Sequence, residues 1–194
     1  MSTEEERVDQ VFWEFAKASD ALLVRSLKRT RTFDEVVDDH RRLEADFVAR
    51  MADSAWGALE IKRRIAETIL ALAHGKHPPF EVCREAWNDL IRLGFTNIEK
   101  ECTVTGFYAD CCAYDEQPAE GLAVLEPLLA KLARGLDEAK AAQQFTEFYE
   151  EELERLGDIR DDLLAQQRGE QIPGRRTRRI DEARRSSPKE DGTP

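Results

Sequence analysis

Residues 32–51 read TFDEVVDDHRRLEADFVARM, and this stretch decides the fold class. Thr32 followed by Glu35 forms a capping box: the hydroxyl can accept from the third amide while the carboxylate returns to the cap amide. Behind it Phe33, Val36, Val37, His40, Leu43, Phe47 and Met51 recur at intervals of three and four, one face of an α-helix.

The same grammar extends in both directions. Thr3 with Glu6 is a second capping box, and Val8, Val11, Phe12, Phe15, Ala18, Leu22 and Leu23 carry that helix to about Leu27. The short turn at Arg29–Arg31 makes the first two helices antiparallel neighbours. Beyond Met51 the stripe continues less sharply through Ala55, Leu59, Ile61, Ile65, Ile69 and Leu72. It fits two helices meeting near Ser54, or one bent helix of some 42 residues, about 63 Å long at 1.5 Å per residue. Gly75-Lys76-His77-Pro78-Pro79 closes it, because proline lacks a donor and forces its predecessor out of the helical region. A helix from about Pro79 to Leu93 follows, with Gly94 placed as a left-handed cap. Thr96 with Glu99 is a third capping box and opens a helix through Ile98, Cys102, Thr105, Tyr108 and Cys112. Pro118 suits the first position of the next helix, which carries Leu122, Leu125, Leu128, Leu129 and Leu132, and Pro127 should bend it. A last helix is expected from Asp137 to about Gln167.

These readings predict an all-α chain of about seven helices packed as antiparallel hairpins, a helical bundle or a short repeat-like array, over residues 1–167. The remainder, 168–194, reads as a disordered basic tail. It contains Gly169, Pro173, Gly174 and Ser186-Ser187-Pro188, with Ile172 and Ile180 as its large aliphatics. Such a segment buries too little apolar surface to offset its chain entropy. Charge changes at the same boundary: residues 1–165 carry 21 basic against 35 acidic side chains, and residues 166–194 carry 8 against 5.

The run Tyr108-Ala109, Cys112, Gln117-Pro118, Gly121-Leu122 and Leu125 resembles the helix-turn-helix pattern of a tetratricopeptide repeat over residues 102–135. It has a large residue followed by a small one, then a small residue after the turn; Glu116-Gln117 stands where the repeat usually has Gly-Asp. The resemblance implies a helical hairpin whose first helix lines a concave, peptide-binding face. On this chain that nominates Asp110 and Tyr114 as partner-binding residues.

Other candidates come from the residues alone. Ala142, Phe145, Tyr149, Leu156, Ile159 and Leu163 keep close to a 3.5-residue repeat, with Glu152 interrupting it. Phe145, Tyr149, Leu156, Ile159 and Leu163 are thus a candidate homodimer seam, the alternative being a final bundle helix packed on its own chain. Arg175, Arg176, Arg178 and Arg179 form a basic cluster suited to an acidic partner groove, an acidic lipid or nucleic acid. Nucleic acid is the weaker reading: the acidic body opposes phosphate, and no aromatic residues interleave with the basic clusters Arg25, Lys28, Arg29, Arg31 and Lys62, Arg63, Arg64.

Chemistry is less legible. No Glu-x-x-His pair of the di-iron bundle type occurs, and His40 with Glu44, or Glu60, Glu67 and His74, read as solvated faces. Cys111-Cys112 point about 100° apart on a helix and read, with Cys83 and Cys102, as reduced core thiols. The ten glycines are scattered singly, unlike a phosphate-cradling loop. No cofactor, metal or catalytic residue is expected, and an enzyme site assembled from distant residues would leave no local signature. No run approaches the roughly 18–20 apolar residues of a membrane span, and Met1-Ser2-Thr3-Glu4-Glu5-Glu6 is unlike a cationic signal segment, which points to the cytoplasm. The expected function is a non-catalytic adaptor or chaperone-like module binding another protein. The alternatives are a ligand-binding or catalytic helical bundle, and a regulator touching nucleic acid through its Arg-rich tail.

Overall fold

The computed structural model describes residues 4–26, 31–172 and 174–186. The described residues form eight α-helices in two compact units, Met1–Asn97 and Ile98–Pro194, where the sequence reading placed one helical body over 1–167. The capping box at Thr3, and Lys28 and Arg29 of the first basic cluster, lie outside the described residues.

The first unit holds α1 (Glu4–Ser26), α2 (Phe33–Arg50), α3 (Ala55–Lys76) and α4 (Phe80–Leu93). Both halves of the Thr32–Glu35 capping box are made, so α2 starts where its sequence demands. It ends at Met51, and Ser54 caps α3 by accepting from the Gly57 amide at 3.2 Å. Residues 33–76 are therefore two helices. The blurred stripe of α3 has a physical cause: it packs against α2, α4 and α1, so Ile61, Ile65, Ala66, Ile69, Leu70, Leu72 and Ala73 bury several sides of one helix. Phe15 of α1 meets Phe47 of α2 edge-on, ring centres 5.5 Å apart.

Two details of this unit differ from expectation. Gly94 has positive φ but extended ψ (73°, 163°), a region open to glycine; the left-handed cap is instead His77, after α3, whose amide donates to Ala73. Of the second basic cluster, Arg63 is turned inward. It donates to the carbonyls of Gly94 (2.7 Å) and Leu93 (3.1 Å), neutralising the negative end of α4, and it pairs with the buried Glu60, which also accepts from Arg64 at 3.0 Å.

The second unit contains α5 (Ile98–Tyr114), α6 (Pro118–Ala141), α7 (Glu147–Gln167) and α8 (Arg178–Ser186). Helices α5, α6 and α7 each pack on the other two. Their core is Cys102, Val104, Tyr108, Ala109, Cys112, Leu125, Leu128, Leu132, Leu156 and Leu163. Gly121, just after the turn, is a packing requirement: a Cβ there would stand 2.8 Å from the Leu163 Cδ1. The expected start of the last helix at Asp137 is corrected, because α6 runs on to Ala141 and α7 begins at Glu147. Gly135, inside α6, serves close packing, since an added Cβ would meet the Tyr149 ring at 2.5 Å.

Within the segment read as disordered, residues Arg178–Ser186 form α8, and residues 187–194 lie outside the described residues. The described residues of this stretch meet acidic side chains of α5, α7 and the turn between α5 and α6. Among the described residues no helix is long and apolar enough to cross a membrane.

Candidate functional site

Helix periodicity sets the site. Asp110 and Tyr114 are four residues apart on α5 and share a face; Asp162 and Gln166 hold the same relation on α7, and the Gln166 amide donates to the Ala113 carbonyl at 2.8 Å, tying the two helices together. Asp115 and Glu116 extend the acidic edge into the turn before α6. Glu116 stands at φ +55°, where glycine is the comfortable choice. A side chain kept at such a position costs about 1 kcal/mol or more, which directs attention to what its carboxylate does.

That carboxylate accepts from the buried Thr177 hydroxyl at 3.0 Å. Arg175 bridges the two helices, with Nη1 on Asp110 at 2.9 Å and Nη2 on Asp162 at 2.6 Å. Its planar fork meets two carboxylates at once from separate nitrogens, a fixed geometry that the compact ammonium of lysine lacks. Arg178 donates to Asp115, whose side chain is only 7% exposed, and lies over the Tyr114 ring, 5.7 Å from its centre. The hydrogen bond to Asp115 raises the pKa of Arg178 further above its ordinary value. The Tyr114 hydroxyl closes the circuit by donating to Asp181 of α8 at 3.2 Å.

The fit is incomplete. Beside these contacts lies a cleft of about 510 Å³ lined by Glu116, Gln166, Ile172, Arg179, Ile180 and Ala183 among others. The Gln166 Oε1 is buried without a hydrogen-bond partner. An orphaned buried acceptor of this kind costs about 1–3 kcal/mol.

The candidates from the sequence sort clearly. Asp110 and Tyr114 come together in one site, and Arg175 and Arg178 join them there, while Arg176 and Arg179 are exposed. Of the proposed dimer seam, Leu156, Ile159 and Leu163 are buried within their own unit and Tyr149 packs at Gly135; Phe145 lies in the turn before α7, 76% exposed. The seam residues are thus spent on intrachain packing, with Phe145 facing elsewhere. Cys83, Cys102, Cys111 and Cys112 are buried free thiols, and among the described residues no group of three or more His, Cys, Asp or Glu side chains could hold a metal ion.

Sequence reasoning missed Asp115, Glu116, Asp162 and Thr177. A carboxylate on a charged helix gives no local signal; the available clue was the opposite charge of body and tail, which a chain can satisfy against itself. The first unit offers a separate surface feature: Trp13, Trp56 and Leu59 are exposed, and Trp56 packs on the half-buried Phe12, ring centres 5.4 Å apart.

No protein-family model matches the chain, and no curated protein or solved structure matches it significantly.

Proposed function

We propose that this chain is a non-catalytic interaction module, an adaptor or chaperone-like helical protein, whose α5–α7 face binds a protein partner. The observation that carries the reading is the construction of that face. Two helices and a turn present Asp110, Asp115, Glu116 and Asp162 around an aromatic ring, and this surface holds a peptide segment by side-chain contacts. Such an array suits recognition of an extended or helical peptide: paired carboxylates select arginine, and Tyr114 adds a cation–π platform. The ligand-binding alternative draws on the adjoining cleft and the unpartnered Gln166 oxygen.

The test is affinity co-purification from the native cell, with nuclease treatment, comparing the full chain with its Asp110→Lys/Asp162→Lys variant after circular dichroism has shown equal helicity. A stoichiometric protein recovered with the wild type and lost from the variant supports the reading. Recovery of the same proteins by both, or of none, counts against it.

A further inference from the structure

We propose that the partner engages this face through an arginine-rich segment, and that residues 174–186 are a resident stand-in for it which the partner must displace. This inference rests on the interaction reading above and names its ligand chemistry and its regulation.

The occupant seen in the structure defines the chemistry. Arg175 enters between Asp110 and Asp162, Thr177 reaches Glu116, and Arg178 takes Asp115 and the Tyr114 face. The recognised pattern is therefore two arginines three residues apart with a hydroxyl residue directly before the second. Nothing in these contacts requires that the segment belong to the same chain.

Displacement is feasible for three reasons. Helix α8 has nine residues, too short to be stable unaided. The chain leading into the segment contains Gly169, and the segment opens at Gly174, both at positive φ. The resident segment also leaves the buried Gln166 Oε1 without a hydrogen-bond donor. A partner segment that replaces residues 174–186 and donates to that oxygen makes a contact the resident segment does not. Until then the resident arm competes as a tethered ligand, at an effective concentration on the order of millimolar for a short linker. Apparent affinity for an external segment is the intrinsic affinity multiplied by the fraction of molecules whose face is open.

The test uses the full chain and one probe, a fluorescein-labelled synthetic peptide of residues 172–186, followed by anisotropy in low salt. In the Arg175→Glu/Arg178→Glu variant the arm is repelled and the peptide should bind at least ten-fold more tightly than to wild type. Arg175→Ala/Arg178→Ala should lie between them, and guards against misfolding caused by charge reversal. Adding Asp110→Asn/Asp162→Asn to the opened chain should remove binding. Equal affinity for wild-type and opened chains, no binding to either opened variant while circular dichroism shows an intact body, or equal binding of a scrambled peptide would each overturn the proposal. The two readings fail separately. A partner whose recovery depends on Asp110 and Asp162 leaves the interaction module standing even if no arginine peptide binds.

Discussion

His40 is fully buried on α2, with Nδ1 donating to the Val36 carbonyl at 2.7 Å and Nε2 without a partner. Burial lowers its pKa from 6.5, against the smaller opposing effects of that backbone hydrogen bond and of Asp39. The unfolded chain therefore binds the proton more readily than the folded one. The contribution of this site to stability is intact above pH 6.5 and declines as pH falls below it, down to the lowered folded value. Trp13, Trp56 and Trp87 all lie in the first unit, so tryptophan fluorescence follows its unfolding. Denaturant midpoints read this way should drop more between pH 7.5 and 5.5 for wild type than for His40→Leu; parallel curves would show that the imidazole is not responsible. Cys102 makes a second prediction. Burial first, then Glu152, pushes its thiol up to about 12, and the other three cysteines are buried as well. Because thiolate is the nucleophile, native protein at pH 8 should react with a disulfide reagent orders of magnitude more slowly than unfolded protein, in which all four thiols should titrate at once. One fast-reacting thiol in the native state would contradict the burial.

At the scale of the element, α7 discriminates between a dimer seam and a bundle helix. Leu156 is fully buried within its own unit, so Leu156→Ala should cost roughly 2–5 kcal/mol. Leu156→Glu would bury an unpaired charge and collapse the helicity of residues 98–167. A seam would instead release monomers with helicity unchanged, and light scattering with circular dichroism on this one variant separates the two. Gly121 makes the complementary point for α6: with Leu163 carbons 2.8 and 3.0 Å from the position of an added Cβ, Gly121→Ala should destabilise by about 1–3 kcal/mol although alanine is the better helix former. The capping box at Thr32, the stop at Pro78-Pro79 and the start at Pro118 were all legible because each is local chemistry on a few consecutive residues. The end of α6 was not. Gly135 carries no local signal of its role, and only the Tyr149 ring standing against it reveals a packing contact.

For the whole molecule the governing quantity is charge, a net −11 made of an acidic body and a basic C-terminal stretch. The contacts of residues 174–186 include three partly exposed ion pairs, Arg175 with Asp110 and Asp162 and Arg178 with Asp115, and these screen with salt. Hydrogen exchange of α8 should accelerate when sodium chloride rises from about 0.05 to 1 M, where the screening length shortens to roughly 3 Å, while α5–α7 hold their protection. Unchanged protection of α8 would mean that apolar packing, not charge, fastens it. The sequence by itself determined the helical class, most helix starts and the inward stripes, since periodicity and caps depend on neighbours three and four residues away. It also determined that the C-terminal stretch could build no core of its own. Tertiary structure alone decided that this stretch lies against Asp110, Asp115, Glu116 and Asp162, that α7 spends its apolar seam within the chain, and that the helices divide at Asn97. Those outcomes depend on groups that meet only after folding: Arg175 finds Asp110 across 65 residues, and no periodicity records so distant a pairing.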